Sequence, residues 1–195
     1  RLVKPPRVPK REIEAFTEDE LRSILNIASG NPLEALYVTA LTTGLRQGEL
    51  LGLRWQDVDL KIGTLHVRRS LMWVGGKPIL DSPKTESSQR QVRLSPPAVA
   101  SLRRHRSAQN ELRLRLADIW RPEHDLVFTN EAGGPVNQSN LSKRGWRRLL
   151  ENAGVRYRNF NTTRHTAATI LLKRGVHPKV VQEMLGHSSI MVTLD

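Results

Sequence analysis

The chain has 195 residues, 38% hydrophobic and 26% charged, which is enough for one domain with a real core. Its 31 Lys+Arg against 19 Asp+Glu give a formal net charge of +12 and a pI near 11.0, so a polyanionic partner is expected over a merely soluble basic surface. With no cysteine there is no disulfide framework, thiolate nucleophile or thiolate zinc site, and no apolar run approaches the ~20 residues of a membrane span.

Residues 1–15, RLVKPPRVPKREIEA, mix proline with basic residues and read as an extended linker. Thr17 and Glu20 then spell a capping box, with Phe16 and Leu21 as a hydrophobic staple, and predict a helix to about Ala28. Asn31-Pro32 opens a second helix with proline at its first position. Its stripe of Leu33, Leu36, Tyr37, Ala40 and Leu41 ends near Gly44. A short helix from Arg46 to about Gly52 follows. The β-rich run TLHVRRSLMWV, the Gly75-Gly76 turn and a resuming QVRL predict one small antiparallel sheet. Between its strands lies a long polar hairpin carrying Lys84. A helix is expected from Pro97 to about Asp118, then an apolar run at Leu126-Val127-Phe128, then helices near 138–152, 163–174 and 178–185. The class is α+β, mainly α, with helices around a small antiparallel sheet.

Phosphodiester chemistry places extra negative charge on the non-bridging oxygens. Arginine suits that task, being always charged, planar and bidentate. A site without metal also needs a proton donor for the leaving oxygen. Four segments carry such residues. In TGLRQGE, Gly44 turns the chain, Arg46 opens a helix whose partly positive end favours phosphate, and Glu49 lies one turn on, where it can orient the guanidinium. An ordinary surface Arg–Glu pair is the alternative. In NTTRHTAA, Asn161 or Thr162 can cap a helix whose first turn holds Arg164, an unfavourable place for a cation without an anionic partner. A plain ion pair is the alternative there. In MLGHSS, Gly186 ends a helix and His187 follows it. Pro83-Lys84-Thr85 rides the hairpin. His187 and Lys84 taken singly read as solvated groups.

Together, in this order, these segments resemble the tyrosine recombinase (phage integrase) family. Residues 39–60, TALTTGLRQGELLGLRWQDVDL, resemble its first arginine box. Residues 162–194, TTRHTAATILLKRGVHPKVVQEMLGHSSIMVTL, resemble its second. SPKTESSQRQVRL resembles the hairpin of its lysine. The resemblance implies a catalytic domain over residues 16–195, preceded by a linker from an N-terminal DNA-binding domain. It implies Arg46 and Arg164 as clamps on the scissile phosphate, Lys84 as general acid for the leaving 5′ oxygen, and His187 as a hydrogen-bond donor to phosphate. Glu49 and His165 become supports. It further implies double-stranded DNA and other protomers in a tetrameric synapse as partners, a cytoplasmic bacterial setting, and no metal or other cofactor.

Two departures stand out. Asn161 occupies the place of the family's usual histidine and cannot act as a base. The family's nucleophilic tyrosine is expected about two residues past Asp195 by extension of the motif. Tyr37 sits on a core stripe and Tyr157 precedes the second box. The residues given are therefore expected to stop short of the nucleophile and to be inactive alone. The competing reading is a degenerate recombinase-like module that binds DNA without cutting. A metal-dependent nuclease would need a carboxylate cluster, and Asp57 with Asp59 reads instead as a turn after the first box.

Overall fold

The computed structural model describes residues 14–81, 89–121, 124–186 and 189. Helix α1 (Glu18–Ala28) begins at the expected capping box. The Thr17 amide donates to Glu20 at 2.8 Å and the Glu20 amide to the Thr17 hydroxyl at 3.2 Å. Helix α2 (Glu34–Thr43) starts later than Pro32. Asn31 accepts the Leu33 amide at 2.8 Å and closes a turn through the proline, which delays the helix. α2 shows no single stripe. It is buried nearly all round because α1, α4 and α7 pack on it, with Thr39 and Thr43 buried among its apolar residues. It stops at Gly44, whose φ of 63° is the left-handed region.

After α3 (Gln47–Leu51) and a 3₁₀ turn (Trp55–Asp57) come β1 (Val58–Asp59), β2 (Thr64–Val67), β3 (Ser70–Val74), β4 (Lys77–Asp81) and β5 (Arg90–Arg93). The single sheet expected from the sequence is two. One is antiparallel β1-β2-β5 and the other is the hairpin β3-β4. The run TLHVRRSLMWV breaks at Arg68-Arg69, whose guanidiniums reach the buried Asp57 at 3.7 and 3.3 Å. β3 is thereby turned onto α3. A Cβ at Gly48 would lie 2.9 Å from the Leu71 carbonyl oxygen, and one at Gly52 would lie 3.0 Å from the Leu71 amide. Gly75 and Gly76, both with positive φ, close the hairpin as the turn signal indicated. The segment carrying Lys84 lies outside the described residues.

Helix α4 (Pro96–Arg115) is shorter than expected and capped by Ser95. Its Gln109 accepts the Trp55 indole N–H at 2.6 Å and donates to the carbonyls of Leu126 and Val127, burying the apolar run. α5 (Gln138–Asn140), a π-helical stretch (Leu141–Trp146) and α6 (Arg147–Asn152) run on from one another. α7 (Thr162–Lys173) and α8 (Pro178–Leu185) complete the domain. Trp146, fully buried, meets Phe16, Tyr37 and Phe160 at ring distances of 5.9, 5.8 and 5.3 Å. The Phe16 amide donates to the Thr166 hydroxyl at 3.0 Å, tying the start of the domain to α7. Among the described residues no helix is long and apolar enough to cross a membrane.

Candidate functional site

Gly44 marks the meeting of α2, α7 and α8. A Cβ there would lie 2.5 Å from Leu185 Cδ2 and 3.1 Å from the Ala167 Cβ, so only glycine lets the three approach. Its carbonyl accepts Arg164 Nη1 at 3.0 Å. Thus the turn of the first arginine box is joined directly to the arginine of the second.

Around this turn two guanidiniums, those of Arg46 and Arg90, grip one carboxylate, and the charge of a third, Arg164, lies close enough to feel them. Glu49 is 6% exposed. Its Oε1 accepts Arg46 Nη1 at 2.7 Å and Arg90 Nη1 at 3.2 Å. Its Oε2 accepts the Arg46 amide at 3.0 Å and Arg90 Nη2 at 2.7 Å. Burial alone would raise the Glu49 pKa. The hydrogen bonds and charge of Arg90, then those of Arg46, outweigh it and hold the carboxyl below its usual range. Arg46 Nη2 also donates to the Gly186 carbonyl at 2.9 Å. Its guanidinium stays half exposed, with other donors left for a ligand. α3 is only five residues long and its first amide is met by Glu49, so the pull of a helix end, expected at Arg46, contributes little.

Arg164 is buried in the first turn of α7. Desolvation, then the neighbouring Arg46 and Arg90 charges, lower its pKa to about 9 against the opposing pull of Glu49. It remains charged at neutral pH. Three guanidiniums against one carboxylate leave a local excess of two positive charges. Burying such an excess is costly unless an anion joins it. The arrangement can hold a tetrahedral oxyanion with bidentate donors on more than one side.

Asn161 precedes α7 and is exposed; it makes no side-chain cap, and neither does Thr162, which turns inward. His165 is exposed one residue after Arg164. Partial desolvation of its ring, then the Arg164 charge, lower its pKa, so the neutral imidazole is favoured. Lys84 and His187 lie outside the described residues. The structure therefore brings Arg46, Glu49 and Arg164 together and sets Asn161 and His165 at the edge of the group. Arg90 is the member that sequence reasoning missed. Its signal was the alternation Arg90, Val92, Leu94, which puts the arginine on the inward face of β5.

The acids considered for metal binding are engaged elsewhere. Asp57 pairs with Arg68 and Arg69, and Asp59 accepts the amides of Lys61 and Ile62. Among the described residues no three His, Asp or Glu side chains are grouped to hold a metal. Tyr37 is buried against Trp146, and burial pushes its hydroxyl up to about 12. Tyr157 lies under the Arg147 guanidinium at 4.6 Å.

The domain is mainly helical and brings arginines from two separated boxes to the neighbourhood of one buried carboxylate. The chain belongs to the phage integrase family, whose sequence model matches residues 14–195. It is 40% identical over 200 residues to a tyrosine recombinase XerC-like protein of Caldanaerobacter subterraneus subsp. tengcongensis, covering 97% of this chain and 51% of that one. The chain spans about half the length of the curated relatives it matches. The crystal structure of XerA recombinase matches with a TM-score of 0.75 and 27% identity, over 98% of this chain and 61% of that one. The Tn1549 transposon integrase, solved with circular intermediate DNA, matches in fold with a TM-score of 0.80 at 22% identity, over 95% of this chain and 61% of that one.

Proposed function

We propose that these residues form most of the catalytic domain of a site-specific recombinase that cuts and rejoins double-stranded DNA through a 3′-phosphotyrosyl intermediate. The observation that carries the reading is the Glu49 carboxylate shared by Arg46 and Arg90 with the Arg164 charge beside them, which leaves a net positive group at the junction of both arginine boxes. Arg46 and Arg164 bind the non-bridging oxygens of the scissile phosphate and stabilise the charge that grows there in the transition state. A phenol attacks phosphorus and releases its proton to water, the bond to the 5′ oxygen breaks, and Lys84 gives that oxygen its proton. His187 donates to a phosphate oxygen, Asn161 lies at the rim as a further polar contact, and His165 supports Arg164. The phosphotyrosine conserves the bond energy, so rejoining needs no ATP.

Tyr37 is buried in the core and Tyr157 lies under Arg147, so the reading assigns the attacking phenol to neither of them. Residues 1–15, rich in proline and basic groups, would serve as the linker from a DNA-binding domain. The protein would work in the cytoplasm, as a tetramer of protomers on paired DNA sites. The relatives, recombinases and integrases of bacteria and mobile elements, support this setting. The competing reading, a module that binds DNA without cutting, draws on Asn161.

The test uses the whole protein and matched DNA duplexes with oxygen or sulfur at the bridging 5′ position. Wild type should cleave both. Lys84→Ala should be strongly slowed on the oxygen substrate and much less on the thio substrate, since a thiolate leaves without a proton. Equal defects on both would remove Lys84 as general acid. Cleavage of neither by wild type would favour the binding module.

A further inference from the structure

Arg90 sits on β5, away from both arginine boxes in sequence, yet it joins them in space. Its side chain is 7% exposed. The forked end grips both oxygens of Glu49, at 3.2 and 2.7 Å, while its Nε donates to the Met184 carbonyl at 2.7 Å. Gly186, with φ of 67°, packs its backbone on the same guanidinium. A Cβ there would lie 2.9 Å from Arg90 Nη1 and 3.1 Å from its Cζ. Two carbonyls at the end of α8 are therefore held by arginines: Met184 by Arg90 and Gly186 by Arg46.

This geometry gives Arg90 three dependents. Each Glu49 oxygen receives one bond from Arg90 and one from Arg46, so Arg90 fixes the carboxylate that fixes Arg46. The last turn of α8, from which the chain continues to His187, is fixed by the same side chain. Lysine could match the charge but not a fork that serves a carboxylate and a carbonyl at once.

We propose that Arg90 is a positioning residue for strand cleavage, holding Glu49 and the end of α8 in register so that Arg46 meets the scissile phosphate. This rests on the strand-cleavage reading above. The proposal separates Arg90 from the phosphate contacts themselves, because both of its terminal nitrogens face Glu49.

The test is single-turnover cleavage of a suicide duplex by the whole protein, with DNA affinity measured separately. Arg90→Gln should lower the cleavage rate about a hundredfold, as small misplacements of reacting groups do, and change affinity by no more than a few fold. Arg90→Lys should recover less than about a tenth of the lost rate. The pair Glu49→Gln with Arg90→Gln, which removes both sides of their ion pair, should be slower than Glu49→Gln alone only by what the hold on the end of α8 contributes, far less than the product of the two single defects. Multiplied defects in the pair would show Arg90 acting on the phosphate directly and would overturn the proposal. So would near-normal cleavage by Arg90→Gln, or full rescue by lysine. A wild-type protein that fails to cleave overturns the strand-cleavage reading along with it. A cleaving wild type beside an unimpaired Arg90→Gln overturns the positioning role alone.

Discussion

Replacing Arg164 with alanine in the whole protein is expected to cut strand cleavage by about 10²–10³-fold while leaving the fold in place. The side chain donates to the Gly44 carbonyl, and its burial beside Arg46 and Arg90 is electrostatically unfavourable. Truncation loses the bond and some packing but relieves repulsion among three cations, so thermal stability should change little. Lysine should rescue poorly, since its point charge lacks the paired donors. Cleavage kinetics beside a thermal melt check both halves. Near-normal cleavage by Arg164→Ala would mean that the cluster does not hold the reacting phosphate.

The second large effect is on stability. Glu49→Ala strips the carboxylate from a buried Arg90 and should cost about 3–5 kcal/mol, the usual cost of breaking a buried pair from one side. Glu49→Gln keeps the shape and hydrogen-bond capacity and should cost less. The Glu49 pKa is depressed below its ordinary 4.5 in the folded protein. Its stabilising contribution is therefore fully present above that ordinary value and is lost as pH falls through the folded value. Denaturant melts of wild type and Glu49→Gln should converge on the acid side of pH 4.5 and separate above it. A difference that stays constant with pH would show that Glu49 acts through shape rather than charge.

Much of this was legible in the sequence because its signals are local. The capping box at Thr17 and the glycine stop at Gly44 are each decided within a few residues, and both stand where expected, as do the bounds of α8. Arg46 and Arg164 could be named from their boxes because tight turns and helix starts are local too. What failed depended on distant partners. The split of the sheets at Arg68-Arg69 depends on Asp57, which lies before β1. The reach of Arg90 to α3 and α8 depends on the folded position of β5. Its inward phase was written in the alternation with Val92 and Leu94, but an arginine in a strand is ordinarily read as facing solvent. The all-round burial of α2 was masked by threonines. Thr39 and Thr43 stay buried within it, and the Thr43 hydroxyl donates to the Thr39 carbonyl at 2.6 Å.

Covalent strand exchange and DNA binding alone leave different products on DNA. The most direct measurement incubates the whole protein with a nicked suicide duplex in the presence of EDTA and runs the product under denaturing conditions. The expected result is a DNA strand linked by its 3′ phosphate to a tyrosine of the protein, with a free 5′ hydroxyl on the released piece, and no such adduct from Arg46→Ala. Cleaved DNA free of protein, cleavage that requires a divalent metal, or binding with no cleavage at all would contradict it.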